Sequence, residues 1–326
     1  MEILDAIQAN LLSPAVLFFA LGLLAALTKS ALKFPEPLYV GLTIYLLVAI
    51  GFKGGVAIAE AGIAKVWLPA LAAMALGSLI PLWTYPLLRF GGKLSAVDAA
   101  AIAAHYGSVS AVTFIAATNY LKAINQPFES YATAFLAVME SPAILIGVVL
   151  GKLATSKRGG VDMTSLKAAA HEALFGRSIF LLVGSLVVGW LCGKPGMVKV
   201  EAFFVTPFQG VLALFLLEMG MVAGRRLEDL KKVGPFLLGF GIVVPLVNGA
   251  IGVYLGKLTG LELGGATLLG VLSSSASYIA APAAIRMSLP DANPTLYLTS
   301  SLAITFPFNI TLGIPIYLEI ARKLYS

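Results

Sequence analysis

The sequence predicts an all-α polytopic membrane protein of about ten transmembrane helices, arranged as two inverted five-helix repeats. Three observations predict it. Only 12% of the 326 residues are charged, and mean hydropathy is +0.93, whereas a soluble domain carries roughly 25% charged residues. Apolar runs close to the roughly 20 residues that cross a bilayer recur along the whole length. A Ser-x-Ser pattern set in apolar sequence also occurs twice, in "YGSVSAVTF" (106–114) and "LSSSASYIAAPAA" (272–284).

Taken in order, apolar runs bounded by charge, Gly or Pro fall at 11–28, 38–53, 66–89, 97–121 and 129–151. A polar connection over 152–177 follows, the longest in the chain. The second set falls at 178–193, 205–223, 234–257, 264–288 and 294–322. The division is a first repeat over 1–151, a connection over 152–177 and a second repeat over 178–326. The short runs 38–53 and 178–193 are expected to be broken or tilted. The start, "MEILDAIQANLLSP", has acids and no basic n-region, so no cleaved signal peptide is expected there. With the N-terminus outside, fourteen of the 22 Lys and Arg fall on inward loops, five of them in 152–177 and four in "GRRLEDLKK" (224–232). The positive-inside rule then puts both termini outside and these two segments in the cytoplasm.

Several function classes drop out. The net charge of +6 reads through topology rather than as a nucleic-acid footprint. The single Cys192 supplies neither an internal disulfide nor a cysteine metal cluster. No P-loop is present for ATP-driven transport. His105 precedes Ser108 by three residues, on one helical face, as an intramembrane hydrolase would need. No nucleophile-elbow motif accompanies it, and the second copy repeats the serines without a histidine. The duplication suits binding, so no enzyme is expected.

An offset of 167 carries Ser108 onto Ser275, Ser110 onto Ser277, Ala116 and Ala117 onto Ala283 and Ala284, and Gly22 onto Gly189. "LLVAIGFKGG" (46–55) likewise resembles "LLEMGMVAG" (216–224). Five spans per half is odd, so consecutive copies enter the membrane in opposite directions. Gly107 and Pro282 disfavour continuous helix, and serines compete for backbone hydrogen bonds. Broken backbone in hydrocarbon is tolerated only where it is buried in protein or lines a wet cavity. Paired interruptions at matching positions therefore point to a transporter's midplane site. Half-helix N-termini suit an anion, and half-helix C-termini with hydroxyls suit a hard cation such as sodium. Close helix packing is the competing use of such small residues.

Ionisable and amide groups inside the spans are few. Glu140, beside Ser141-Pro142, suits either a sodium ligand or a helix-packing role, and Asn309 occupies a comparable place in the last span. Glu218 is expected to pair with a basic residue. Asp98 is expected as an N-cap or first-turn acid of the fourth span. Asn119 and Tyr131 suit either an interface or a cavity wall.

The paired segments "YGSVSAVTF" and "SSSASYIAAPAA", with "FLAVMESPAILIG" and the opening "LLSPAVLFFALGLLAALTKSALKFPEPLY", resemble the cyanobacterial sodium-dependent bicarbonate transporter family over essentially the whole chain. The resemblance implies sodium-coupled bicarbonate uptake across the cytoplasmic membrane, supplying inorganic carbon for CO2 concentration. It implies ten helices in inverted repeats, with substrate held between two crossed broken helices. A homotrimer is implied, as is shut-down from the cytoplasmic side by a PII-like regulatory protein. Carried onto this chain, the substrate candidates are Gly107, Ser108, Val109, Ser110, Ser275, Ala276 and Ser277, with Thr113, Ser273 and Ser274 as nearby hydroxyls. The sodium candidates are Glu140 and Asn309, and no organic cofactor is expected. The alternatives left open are a sodium-coupled carrier of another small anion, such as a carboxylate, and a non-transporting channel or sensor.

Overall fold

The computed structural model describes residues 11–155, 167, 170, 171 and 174–326. The question of a signal peptide at 1–10 lies outside them, as does most of the 152–177 connection. Among the described residues there is no strand. Among the described residues the first half holds six helices: α1 Pro14–Leu27, α2 Glu36–Ala61, α3 Ile63–Pro86 extended by a wide turn to Gly91, the broken pair α4 Ala96–Gly107 and α5 Ala111–Ala123, and α6 Thr133–Thr155. The second half follows the same order: α7 Arg177–Phe204, α8 Phe208–Arg226, α9 Leu230–Leu258, the broken pair α10 Leu263–Ser274 and α11 Ala281–Ser288, and α12 Pro294–Tyr325.

Seven helical stretches are long and apolar enough to cross a membrane. One of them, the 51-residue stretch Phe208–Leu258, would be about 77 Å long as a single helix, more than twice the bilayer core. The chain turns instead at Gly234, whose φ of 74° and ψ of 166° leave helical space. Among the described residues, the shorter Pro14–Leu27 and Leu263–Ser274 are apolar as well. The protein is a polytopic membrane protein.

The two runs expected to be short are the longest departures from the sequence reading. Helix α2 has 26 residues and α7 has 28. Lys53 does not end α2, because its ammonium lies over the Phe208 ring, 4.2 Å from the centroid. The expected break of the 178–193 run does fall at Gly193-Lys194-Pro195. Gly193 takes φ 57° and kinks the helix, which then continues to Phe204.

Burial sorts these helices into two groups. In the most apolar window of 96–123, 94% of residues are buried, against 17% in that of 177–204. The first is therefore core and the second presents its apolar side chains outward, Phe180, Trp190 and Leu191 among them. Helix α1 pairs with α8 and α2 with α7. Both pairs close on small residues: a Cβ on Gly22 would meet Leu217 O at 1.9 Å, and one on Gly189 would meet Phe52 O at 2.1 Å. Helices α3, α4 and α6 form a second packed unit, and α9, α10 and α12 a third. The breaks lie between these last two units.

Candidate functional site

The two Ser-x-Ser segments do the same local work. Ser108 follows the last turn of α4 in extended backbone at φ −79°, ψ 160°, and Ser275 follows α10 at φ −82°, ψ 161°. Each is the C-cap of its helix: Ser108 N still donates to Ala104 O and Ser275 N to Leu272 O, both at 3.1 Å, while the residue's own dihedrals have turned extended. The second serine of each pair restarts a helix. Ser110 Oγ accepts from Thr113 N at 3.2 Å, and Ser277 Oγ accepts from Ala281 N at 3.2 Å, satisfying amide donors that a helix start leaves unpaired. Residues 108–110 separate the half-helices of the first break, and residues 275–280 those of the second.

The breaks also hold each other. Ser110 N donates to Ser275 Oγ at 2.9 Å, and Ser277 N donates to His105 O at 2.8 Å. Ser275 Oγ in turn donates to Leu272 O at 2.8 Å. All ten substrate candidates, Gly107 through Ser110, Thr113 and Ser273 through Ser277, are buried. Within the set, Ser108 stands apart: its Oγ is buried and has no hydrogen-bond partner among the described residues. Such a group costs stability unless something fills its valence.

Carboxylates pin the outer ends of the broken helices. Asp98 Oδ1 accepts from Asn293 N at 2.8 Å, tying the start of α4 to the loop after α11. Asp98 is also the first-turn acid of α4, with Ser95 as its cap. At the opposite end, Glu129 Oε1 accepts from Glu262 N at 2.6 Å, tying the start of α10 to the loop after α5. Its other oxygen lies where a Cβ on Gly265 would meet it at 1.9 Å. Burial pushes the Glu129 carboxyl above the ordinary carboxylate value, and the amide of Glu262 offsets part of that rise.

The sodium candidates stand beside opposite breaks. Asn309 is fully buried on α12; its Nδ2 donates to Ser274 O at 2.9 Å, and its Oδ1 accepts from Tyr317 OH at 3.0 Å. Glu140 is buried on α6, one turn from Ala143, which packs against Gly107. No hydrogen bond joins the two among the described residues.

A cavity of about 620 Å³ opens at the end of the molecule where α1 meets α2 and α11 meets α12. Its walls come from α2 (Tyr39, Thr43), α8 (Glu218, Arg226) and the second break (Tyr278 to Pro282), with Arg177 and Arg286 at the mouth. Glu218, expected to pair with a base, makes no salt bridge among the described residues and lines this cavity instead. Tyr278 closes the inner end. Its ring meets Phe306 edge-on at 5.2 Å, and its buried hydroxyl has no hydrogen-bond partner among the described residues. Asn119 accepts from Gln209 Nε2 at 2.6 Å, which joins α5 to α8. Tyr131 is buried against Phe135.

Sequence reasoning missed Tyr278, Tyr106 and Asn248. Tyr106 OH bonds Thr305 Oγ1 at 2.7 Å and donates to Ser300 O at 3.3 Å, bridging the first break to α12. Asn248 was legible as a lone amide in the apolar run of α9. The two tyrosines carry no local signal, since aromatic residues are common throughout such spans.

Comparison with known proteins adds one match. The family model described as the Na+-dependent bicarbonate transporter superfamily matches residues 14–322. No curated protein matches the chain.

Proposed function

The chain belongs to the Na+-dependent bicarbonate transporter superfamily, and from that premise we propose that it carries bicarbonate inward with sodium by alternating access, the two breaks forming the substrate site. The observation that carries this reading is the buried junction of the breaks, where Ser110 N meets Ser275 Oγ and Ser108 Oγ has no partner among the described residues. Bicarbonate is a small oxyanion that both donates and accepts hydrogen bonds. Amides and hydroxyls at half-helix ends replace its hydration shell without a fixed cationic side chain. Gly107 to Ser110 and Ser275 to Ser277 supply these groups, and Thr113, Ser273 and Ser274 supply the surrounding hydroxyls.

Sodium beside the breaks offsets the anion's charge where the dielectric is low. Asn309 and Glu140 are its proposed oxygen donors. The coupled pair then moves as a neutral unit, and an inward sodium gradient drives uptake.

The halves 1–151 and 178–326 act as inverted repeats joined by 152–177, with both termini outside. The cavity at Tyr278 then faces the cytoplasm. Helices α1, α2, α7 and α8 serve as the scaffold and as the surface on which a homotrimer forms, while the units carrying the breaks move against them. The basic inward loops offer contacts for a PII-like regulator. In a cyanobacterial cytoplasmic membrane this uptake feeds CO2 concentration. A small carboxylate is the second reading, favoured by the three arginines around the cavity.

Labelled bicarbonate uptake into proteoliposomes tests the proposal. Saturable uptake that requires an inward sodium gradient and resists competition by acetate and pyruvate supports it. Displacement by those acids selects the second reading, and sodium-independent flux refutes coupling.

A further inference from the structure

Helix α1 ends in a tight cap. Ser30 N donates to Ala25 O at 2.9 Å and Lys29 N to Ala26 O at 3.1 Å, which puts Lys29 in left-handed backbone at φ 53°. Glycine is the usual occupant of that place, because a side chain there is strained. Here a lysine occupies it, and Lys33 follows four residues on. Helix α8 packs against this end. The two helices stay in close contact as far as Gly224, where a Cβ would meet Ala26 Cβ at 2.6 Å. Arg225 comes next, in the last turn of α8.

At this corner the helices leave a pocket of about 450 Å³. Lys29, Lys33 and Arg225 line it together with Ser30, and no carboxylate does. Among the described residues none of the three cations makes an ion pair. The acids of the adjoining elements, Glu36 and Glu218, line the larger cavity instead, which shares Phe34 with this pocket. Three like charges around one concavity repel one another unless an anion sits among them. A cation at a helix C-terminus also suits the helix dipole, which accounts for Arg225 and Lys29 but not for Lys33 or for the concavity.

The outside of α1 indicates the kind of anion. Leu17, Leu21 and Leu24 are exposed at the spacing of one helical face, and Leu27 is exposed at its end. Leu32, exposed as well, lines the pocket itself. Apolar rows of this kind in a membrane protein match the apolarity of acyl chains. With both termini outside, this corner lies at the level of the cytoplasmic headgroups, where basic pockets between helices take anionic lipid. We propose that Lys29, Lys33 and Arg225 form a site for the phosphate headgroup of an anionic phospholipid of the inner leaflet, its chains lying along the α1 leucines. The proposal takes only its leaflet from the topology proposed above and does not depend on the substrate.

The experiment titrates the full chain in detergent micelles with phosphatidylglycerol or phosphatidylcholine and counts bound lipid by native mass spectrometry. The variants are Lys29→Gln with Lys33→Gln, Lys29→Gly, and a control that removes two exposed lysines elsewhere on the same side, Lys93→Gln with Lys231→Gln. The expected result is phosphatidylglycerol bound by the wild type at concentrations where phosphatidylcholine is not. Half-saturation should rise roughly fivefold for each pocket lysine removed, the effect of one basic residue near an anionic surface, and stay unchanged in the control. Lys29→Gly should lose affinity yet melt no lower than the wild type in phosphatidylcholine, because glycine relieves the left-handed backbone. Equal losses in the pocket and control variants would reduce the effect to diffuse attraction and overturn the site. So would a wild type without preference for phosphatidylglycerol, or a Lys29→Gly protein that melts lower and binds that lipid normally. Displacement of the lipid by an equal concentration of glycerol phosphate would make this a soluble-phosphate site and overturn the lipid assignment. Bicarbonate enters none of these readouts, so this proposal and the transport reading fail separately.

Discussion

At the residue scale, the four serines that look interchangeable in sequence have different partners. Ser275 Oγ is spent within the protein, between Ser110 N and Leu272 O, whereas Ser108 Oγ is unspent. Ser275→Ala should therefore lower stability by about 1–2 kcal/mol by orphaning the Ser110 amide, measured as a fall in melting temperature. Ser108→Ala should leave the melting temperature within error or raise it, and should raise the KM for bicarbonate. Tyr278→Ala removes the side chain at the inner end of the cavity. A cysteine reagent applied from the cavity side should then label Ser110→Cys faster in the Tyr278→Ala background than in the wild type. The sequence located these serines because their pattern is local and repeated. It could not assign their partners, since Ser110 and Ser275 are 165 residues apart and meet only when the half-helices cross.

At the element scale, the broken helices are specified at both ends. Their inner ends are closed by serine caps, and their outer ends by Asp98 and Glu129. Glu129→Ala uncaps the start of α10 and should cost about 1 kcal/mol, read as a lower melting temperature and faster amide exchange over 262–266. The carboxyl of Glu129 titrates above its ordinary value because burial opposes its charge. Its contribution to stability is thus fully present below the ordinary carboxylate value and is lost as pH rises through the raised one. Glu129→Gln should flatten that part of the stability profile. Element ends were the least legible feature. Lys53 reads as a boundary because charge marks surfaces, yet an aromatic ring accommodates it, whereas Gly193 does interrupt α7 where the run is read to end.

At the scale of the whole molecule, α1 packs most closely on α8 and α2 on α7, while the broken helices pack most closely on α3, α6, α9 and α12. The cavity runs along the seam between them. Cross-linking α1 to α8 should leave uptake intact, because both helices belong to one body. Linking Val40 on α2 to Ala283 on α11, across the cavity, should abolish it, and uptake surviving that link would show that the seam does not move. The matched serines and glycines carry the expectation of a repeat.

The central claim is that the crossed breaks hold the substrate. Its most direct test is the bicarbonate concentration dependence of sodium-driven uptake in proteoliposomes, compared between the wild type and Ser108→Ala at equal amounts of folded, inserted protein. The account predicts saturable uptake in the wild type and a KM raised roughly tenfold or more in Ser108→Ala, the loss expected for one hydrogen bond to a charged ligand. An unchanged KM in the variant would contradict it, and would leave the paired serines as the packing that lets two broken helices cross.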